Sequence, residues 1–204
     1  RSLVGIIDLG SENIKCAIFK INENGSSKIL SSSLIKSQGI NNCKILNLDT
    51  ASNVIRECIT EAEKKGQVTL KKINVILEQP EFLCTKLSKS RKIGGSKIQL
   101  EDIEFLLKEG KKQVMLNDRM QSIIHIFNHN YIVDGKKFIE EPIGIYANSL
   151  IHEMTFITAP KNNLKNINQI FLNCDIEVER FFSRIFVLGA QLLTEEELNF
   201  GFII

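Results

Sequence analysis

The stretch Asp8-Leu9-Gly10-Ser11-Glu12-Asn13-Ile14-Lys15 decides the interpretation of this chain, because it is a polar turn held between two apolar runs. Leu3–Ile7 before the turn and Ile14–Phe19 at its end have the composition of buried strands. Asn24-Gly25 is a strong signal for a two-residue hairpin, from which a third strand returns over 28–36. The sequence therefore predicts a sheet that begins with an antiparallel meander.

The polar turn has the chemistry of a phosphate-binding loop. Gly10 lets the backbone approach a ligand closely, and the amides of residues 10–13 with the Ser11 hydroxyl can donate to phosphate oxygens. Lys15 is far enough along the next strand to reach a β- or γ-phosphate, and Asp8 can hold Mg²⁺ through water. The candidate nucleotide-binding residues are Asp8, Gly10, Ser11, Glu12, Asn13 and Lys15. Taken alone, the pattern has a simpler interpretation as a polar hairpin turn, since four fixed positions are easily matched.

Hydrophobic periodicity predicts the elements that follow the meander. A helix capped by Asp49 and ended by Gly66 precedes a strand over 73–77. The middle of the chain is predicted as a strand over 82–92, a helix marked by Ile103 to Val114, and strands over 121–133 and 147–158. The last part is predicted as a helix from Pro160, a strand over 176–181, a helix over 185–193 and a strand over 200–204.

This order indicates an α/β domain interrupted by a small inserted α+β module. The α/β domain takes residues 1–78 together with 160–204, and the β-α-β-β module takes residues 79–159. The module contains strands and a helix that can bury a core of their own.

Composition excludes several classes of function. The 26 basic and 24 acidic residues nearly cancel, which argues against nucleic acid as the main partner. No apolar run approaches the ~20 residues that a membrane-spanning helix needs. The 5 cysteines are widely spaced and form no C-x-x-C pair, so we expect neither a disulfide framework nor a zinc site. We expect the protein in a reducing compartment.

Other candidate sites are weaker. A basic cluster, interpreted either as a docking surface for an acidic partner or anionic lipid or as a solvated strand, comprises Lys86, Lys89, Arg91, Lys92 and Lys97. His125 and His129, with His152 nearby in sequence, allow a metal site, but a solvated sheet face is the preferred interpretation. Ser11 has no His/Asp arrangement that would activate it, so we assign no catalytic residue.

The whole chain resembles the FtsA family of bacterial cell-division proteins, within the actin-like ATPase superfamily. Asp8–Lys15 is similar to the first phosphate loop of that superfamily. Tyr131-Ile132-Val133-Asp134-Gly135, followed by Ile139-x-x-Pro142-Ile143-Gly144, resembles the signature of the family's inserted subdomain and is the specific part of the match. Gln99 departs from the family, which has Thr or Ser there, and predicts a poorly capped helix start.

The resemblance implies an actin-like (ribonuclease H-like) subdomain 1A at 1–78 and 160–204, and an inserted subdomain 1C at 79–159. It also implies a longer protein that binds ATP and Mg²⁺, is at most a weak ATPase and self-associates into filaments. Its implied partners are FtsZ, through parts absent here, and other division proteins, through residues 79–159. The implied location is the inner face of the cytoplasmic membrane at the septum, where the Z ring forms, held by a C-terminal helix beyond this chain.

By the same resemblance, the second phosphate loop and the adenosine loop would follow Ile204. We therefore expect these 204 residues to hold half of a nucleotide site, to bind ATP poorly or not at all and to have no enzymatic activity alone. Two alternatives remain open. One is an actin-like type IV pilus assembly protein of the PilM kind, which lacks the Tyr131–Gly144 signature; the other is a sugar-kinase-like enzyme, which would need an acidic catalytic residue beyond Ile204.

Overall fold

The computed structural model describes residues 2–78, 81–138 and 141–192. The chain divides into two compact units, one formed by Arg1–Pro80 with Asn162–Ile204 and the other by Glu81–Lys161. Within the described residues, no helix is both long enough and apolar enough to cross a membrane.

The first unit is built on a five-stranded mixed sheet in the order β11-β6-β1-β2-β3. Its strands are β1 (Ser2–Leu9), β2 (Asn13–Ile21), β3 (Ser27–Lys36), β6 (Lys72–Leu77) and β11 (Glu177–Ser183). β1, β2 and β3 pair antiparallel, which confirms the predicted meander, whereas β1, β6 and β11 pair in parallel. A two-residue hairpin, β4 (Ile40–Asn41) and β5 (Lys44–Ile45), lies between β3 and the first helix.

The helices of this unit are α1 (Leu48–Gly66), α3 (Lys161–Asn173) and α4 (Arg184–Leu192). Alternate residues of β1, β2 and β6 are fully buried, and α1 contacts β2 and β3. Buried side chains of α1 and α3 complete the core. One face of the sheet is therefore apolar.

The predicted cap of α1 was wrong by two residues. Asn47, in an extended conformation, caps the helix, and its Oδ1 accepts from Thr50 N at 2.9 Å. Asp49 lies in the first turn, where a carboxylate favours the helix dipole but cannot serve as the cap. The helix ends at Gly66 as predicted.

The second unit is a four-stranded antiparallel sheet in the order β7-β10-β8-β9, with one helix. Its elements are β7 (Leu83–Lys97), α2 (Leu100–Asn117), β8 (Gln121–Val133), β9 (Lys136–Phe138) and β10 (Tyr146–Pro160). The core of the unit forms two clusters, one around Leu106 and Leu150 and one around Val114 and Phe156.

Three features between β7 and the start of α3 differ from the prediction. β7 continues to Lys97 because Gly94 and Gly95 adopt positive φ angles of 73° and 85°, which the strand accommodates as an irregularity against β10. Pro160 ends β10 and α3 begins one residue later, and the short β9 was not predicted. The predicted strand over 200–204 lies outside the described residues.

The start of α2 is anchored although Gln99 is a weak cap. The Asp102 carboxylate accepts from Gln99 N at 2.8 Å and forms an ion pair with Arg91 Nε at 3.1 Å. Asp102 thus makes one of the two hydrogen bonds of a capping box, the one from the third helical residue back to the amide of the cap residue.

His152 corrects the expectation that the histidines lie on a solvated face. Its side chain is fully buried, and its ring stacks on Tyr131 with the centroids 4.5 Å apart. Neither ring nitrogen has a hydrogen-bond partner among the described residues, and no group of at least three metal-ligating side chains occurs there. Burial lowers the pKa of His152 below its usual 6.5, so the ring is neutral.

Replacing His152 by Phe should flatten the acid side of the pH–stability profile. Because the pKa of His152 is lowered in the folded chain, the unfolded chain binds the proton more tightly and stability falls below about pH 6.5. The variant should also be more stable at neutral pH, by about 1–3 kcal/mol, because it lacks the two buried ring nitrogens of His152 that have no hydrogen-bond partner among the described residues. Urea unfolding between pH 7.5 and 5 measures both effects. Burial also lowers the pKa of His125, so a residual slope is expected; identical slopes in the two proteins would contradict the assignment.

Candidate functional site

The six predicted nucleotide-binding residues surround one cavity of about 530 Å³ in the first unit. The other residues that line it are Ile76, Glu78, Arg184, Val187 and Leu188. The structure thus brings together every candidate from Asp8 to Lys15 and adds groups from β6 and α4.

Strand register places the charged side chains of the cavity together. Asp8 pairs with Lys15 on β2 and with Ile76 on β6. Their chain neighbours Ile7, Leu9 and Ile14 are fully buried. Since successive side chains of a strand point to opposite faces, Asp8, Lys15 and Ile76 share the face opposite the apolar core.

The segment around Ser37 and the β4–β5 hairpin hold the loop between β1 and β2. Ser37 Oγ donates to Gly10 O at 2.5 Å, and Ser37 N donates to Glu12 O at 2.8 Å. Ser11 Oγ donates to Asn42 Oδ1 at 3.2 Å and accepts from Asn42 N at 3.0 Å. The Ser11 hydroxyl, predicted to donate to phosphate, is therefore engaged with the hairpin.

Asp8 and Glu78 share one guanidinium. Arg184 Nη2 donates to Asp8 Oδ1 at 2.5 Å, and Arg184 Nη1 donates to Glu78 Oε2. Burial alone would lower the pKa of Arg184, but the hydrogen bond and charge of Asp8, with the charge of Glu78, outweigh it and raise that pKa. The carboxylates are held by a permanent cation.

A buried thiol lies under the loop. Cys43 Sγ donates to Leu9 O at 2.9 Å and accepts from Glu78 N at 3.2 Å. Burial raises the pKa of Cys43 to about 11, so it is a neutral thiol at physiological pH. Its contribution is to tie the ends of β1 and β6 together.

Glu78 and Arg184 were missed by sequence reasoning, although a signal existed. β6 and β11 pair in parallel, with Leu77 opposite Ser183, so the next residues of both strands meet at one edge of the sheet. The carboxyl ends of parallel strands are where α/β sheets place ligand-binding groups. Applying that rule to the predicted strands would have identified Glu78.

The donors present fit a hydrated Mg²⁺, which takes one or two carboxylates together with phosphate oxygens and waters. Asp8 and Glu78 supply two carboxylates next to the loop, and Lys15 supplies a cation for phosphate. The fit requires Arg184 to leave its present position between the carboxylates.

Comparison with known proteins gives a consistent result over both units. Residues 82–158 match the family described as "SHS2 domain inserted in FTSA". The cell division protein FtsA of Buchnera aphidicola subsp. Schizaphis graminum is 27% identical over 98% of this chain and 48% of its own length. FtsA of Agrobacterium fabrum is 24% identical over 98% of this chain and 47% of its own length.

Residues 82–158 match the domain inserted in FtsA, and 98% of the chain is similar in sequence to FtsA proteins. The chain spans about half the length of the curated FtsA proteins that it matches. A solved PilM-PilN type IV pilus biogenesis complex shares the fold, with a TM-score of 0.62 and 7% identity over 94% of this chain and 49% of the other. The fold is the predicted one, an actin-like α/β domain with an inserted α+β subdomain.

Part of the stretch that resembles the FtsA signature, Asp134 and Gly135, shapes a turn of the inserted subdomain. Asp134 and Gly135 adopt φ angles of 46° and 78° in the turn that joins β8 to β9. The Asp134 carboxylate accepts from Asn148 N at 2.9 Å and from Ser149 N at 2.8 Å, and these bonds lower its pKa. Asp134 therefore provides hydrogen-bond acceptors for the backbone amides at the irregular start of β10, a role that the sequence did not indicate.

The basic cluster of the inserted subdomain does not form one surface. Alternation along β7 places Lys89 and Arg91 on the side of α2, with Arg91 Cζ 4.4 Å from the Phe105 ring centroid. Lys86 and Lys92 are exposed on the opposite side. Lys97 Nζ lies 5.3 Å from the centre of the Tyr146 ring.

Gly10→Ala should open the loop between β1 and β2. A Cβ at Gly10 would lie 2.5 Å from Asn13 O, a backbone atom that the strand pairing holds in place. We expect a loss of about 1–3 kcal/mol in the free energy of unfolding, measured in urea. Gly25→Ala is the control, since its added Cβ meets nothing within 4 Å and its cost comes from the positive φ alone. An unchanged free energy of unfolding in Gly10→Ala would show that the loop is not tightly closed.

Proposed function

We propose that this chain is part of a bacterial division protein that binds ATP with Mg²⁺ and assembles into filaments under the cytoplasmic membrane. The observation that carries the proposal is the similarity of 98% of the chain to the cell division protein FtsA. The inserted subdomain supports it, because residues 82–158 match the domain inserted in that family.

The proposed nucleotide site is the cavity between the first loop and α4. Gly10 and Ser11 would approach the phosphates, and Lys15 would pair with the β- or γ-phosphate. Asp8 would hold Mg²⁺ through water, and the ion would supply charge neutralisation for the triphosphate. We assign Glu12 and Asn13 to the rim of the site.

In this proposal the chain carries half of the site. The described residues around the cavity supply charged groups for the phosphates but only the side chains of Ile76, Val187 and Leu188 as an apolar surface. An adenine needs a concave apolar pocket. The longer protein would provide it, and any hydrolysis would be slow and belong to that protein.

The division role extends to partners. We propose that FtsZ binds through parts of the longer protein, that subdomain 1C contacts other division proteins, and that the protein is peripheral to the membrane at the septum. The pilus alternative is supported by likeness of fold alone, at 7% identity, whereas both units of this chain resemble FtsA in sequence.

Lys15→Ala should weaken Mg-ATP binding by the longer protein more than tenfold, because a desolvated lysine beside the phosphates contributes more than ~1.4 kcal/mol. This chain alone should show no micromolar binding, which would need ~8 kcal/mol from an open loop. Isothermal titration measures both. Lys20→Ala, on the same strand but outside the cavity, is the matched control. Micromolar binding by these 204 residues would show that the half-site proposal is wrong.

Reversing Lys86 and Lys92 to Glu in the longer protein should reduce capture of division proteins by severalfold, because both charges are exposed on one side of β7. Reversing Lys108 and Lys112 to Glu on α2 makes the same change in charge on another exposed surface and is the control. Pull-down from cells, with immunoblotting for each division protein, gives the comparison. Equal effects of the two pairs of substitutions would show that the β7 lysines contribute only general surface charge and not a specific docking surface.

A further inference from the structure

Arg184 occupies the part of the cavity that a divalent cation would need. Its guanidinium spans Asp8 on β1 and Glu78 after β6, with Nη2 2.5 Å from Asp8 Oδ1. The Arg184 side chain is 25% exposed and that of Asp8 26%, so this pair is largely withdrawn from water, whereas Glu78 is 61% exposed. An ion pair in this environment is screened less than one on the surface.

The fold fixes this position. β6 and β11 are parallel and end side by side, so Glu78 and Arg184 leave the sheet next to each other. A Cβ at Gly10 would lie 3.5 Å from Arg184 Nη2, so the guanidinium lies beside the glycine at which a ligand would approach most closely. Arg184 therefore faces the phosphate side of the loop.

The charges around the cavity explain why a cation is needed there. Its charged lining consists of three acids, Asp8, Glu12 and Glu78, and two bases, Lys15 and Arg184. Arg184 holds two of the acids, whereas Lys15 has no ion-pair partner in the part of the chain that the structure describes. Without Arg184, the negative charges of Asp8 and Glu78, which now bind one guanidinium, would lie close together unpaired, an arrangement that a divalent cation stabilises.

We propose that Arg184 is a built-in counter-cation, which holds Asp8 and Glu78 in the absence of nucleotide and exchanges with the divalent cation that enters with the nucleotide phosphates. The inference rests on the proposed nucleotide site for its ligand. Guanidinium and divalent cation compete for the same carboxylate oxygens, so free cation binds weakly while Arg184 is in place. A phosphate ligand gives the displaced guanidinium an alternative partner, since its planar donors match phosphate oxygens. The exchange makes tight cation binding conditional on a phosphate ligand.

Binding of Mn²⁺ alone to the nucleotide-free chain tests the exchange without requiring nucleotide binding. Titration followed by electron paramagnetic resonance should give at least about tenfold tighter binding for Arg184→Gln than for the unmodified chain. Arg184→Lys keeps the charge and should remain within about threefold of the unmodified chain. Arg180→Gln, the same substitution at an exposed position of β11, should change nothing. Arg184→Met, which retains the apolar stem, serves as the second neutral variant if Arg184→Gln does not fold, as judged by circular dichroism.

A second variant tests whether the gain in Mn²⁺ affinity comes from the carboxylates of Asp8 and Glu78. Combining Arg184→Gln with Asp8→Asn should return Mn²⁺ affinity to the level of the unmodified chain. Unchanged affinity in both neutral variants, or a gain that survives Asp8→Asn, would overturn the proposal. If Mn²⁺ affinity rises as expected but the longer protein binds no ATP, the competition stands and the proposed nucleotide function fails, so the two failures are distinguishable.

Discussion

The pairing of β1 with β2 on one side and β6 on the other governs both the stability of the first unit and its chemistry. Ile7 and Leu9 are fully buried, and a shift of one residue would expose them to water. Burial of two such side chains is worth roughly 3–6 kcal/mol, which fixes the register. Because the register is fixed, Asp8 and Lys15 must lie together on the opposite face. The apolar core thus positions polar groups that it never touches.

The polar face is organised by partners that come from distant parts of the chain. Ser37 and the β4–β5 hairpin hold the loop backbone, and Cys43 ties it to the end of β6. Arg184 contributes the charge that allows Asp8 and Glu78 to lie close together. A loop held in this way has little conformational freedom left to lose on binding a ligand.

The inserted subdomain uses the same physics for a different purpose. Its strongest sequence signature, around Asp134, satisfies backbone amides at the start of β10 and shapes the turn to β9. A sequence motif shared with known proteins can therefore stabilise the local fold and need not take part in binding. The charged residues of β7 illustrate the converse, since Arg91 and Asp102 serve the subdomain's own packing.

The sequence by itself determined the meander, the inserted module and the loop from Asp8 to Lys15, because these depend on local periodicity, hairpin residues and residues close together in the chain. It also indicated the similarity to FtsA, through the signature around Asp134. Only the tertiary structure decided that Asp8 is paired with Arg184, 176 positions away, and that Ser11 is bound to Asn42. It also decided that His152 is buried, with no hydrogen-bond partner for its ring nitrogens among the described residues. Those contacts depend on which strands become neighbours and on how elements close over the sheet. Such long-range geometry leaves no periodic trace in a single sequence, since any residue at the end of a strand is compatible with many neighbours.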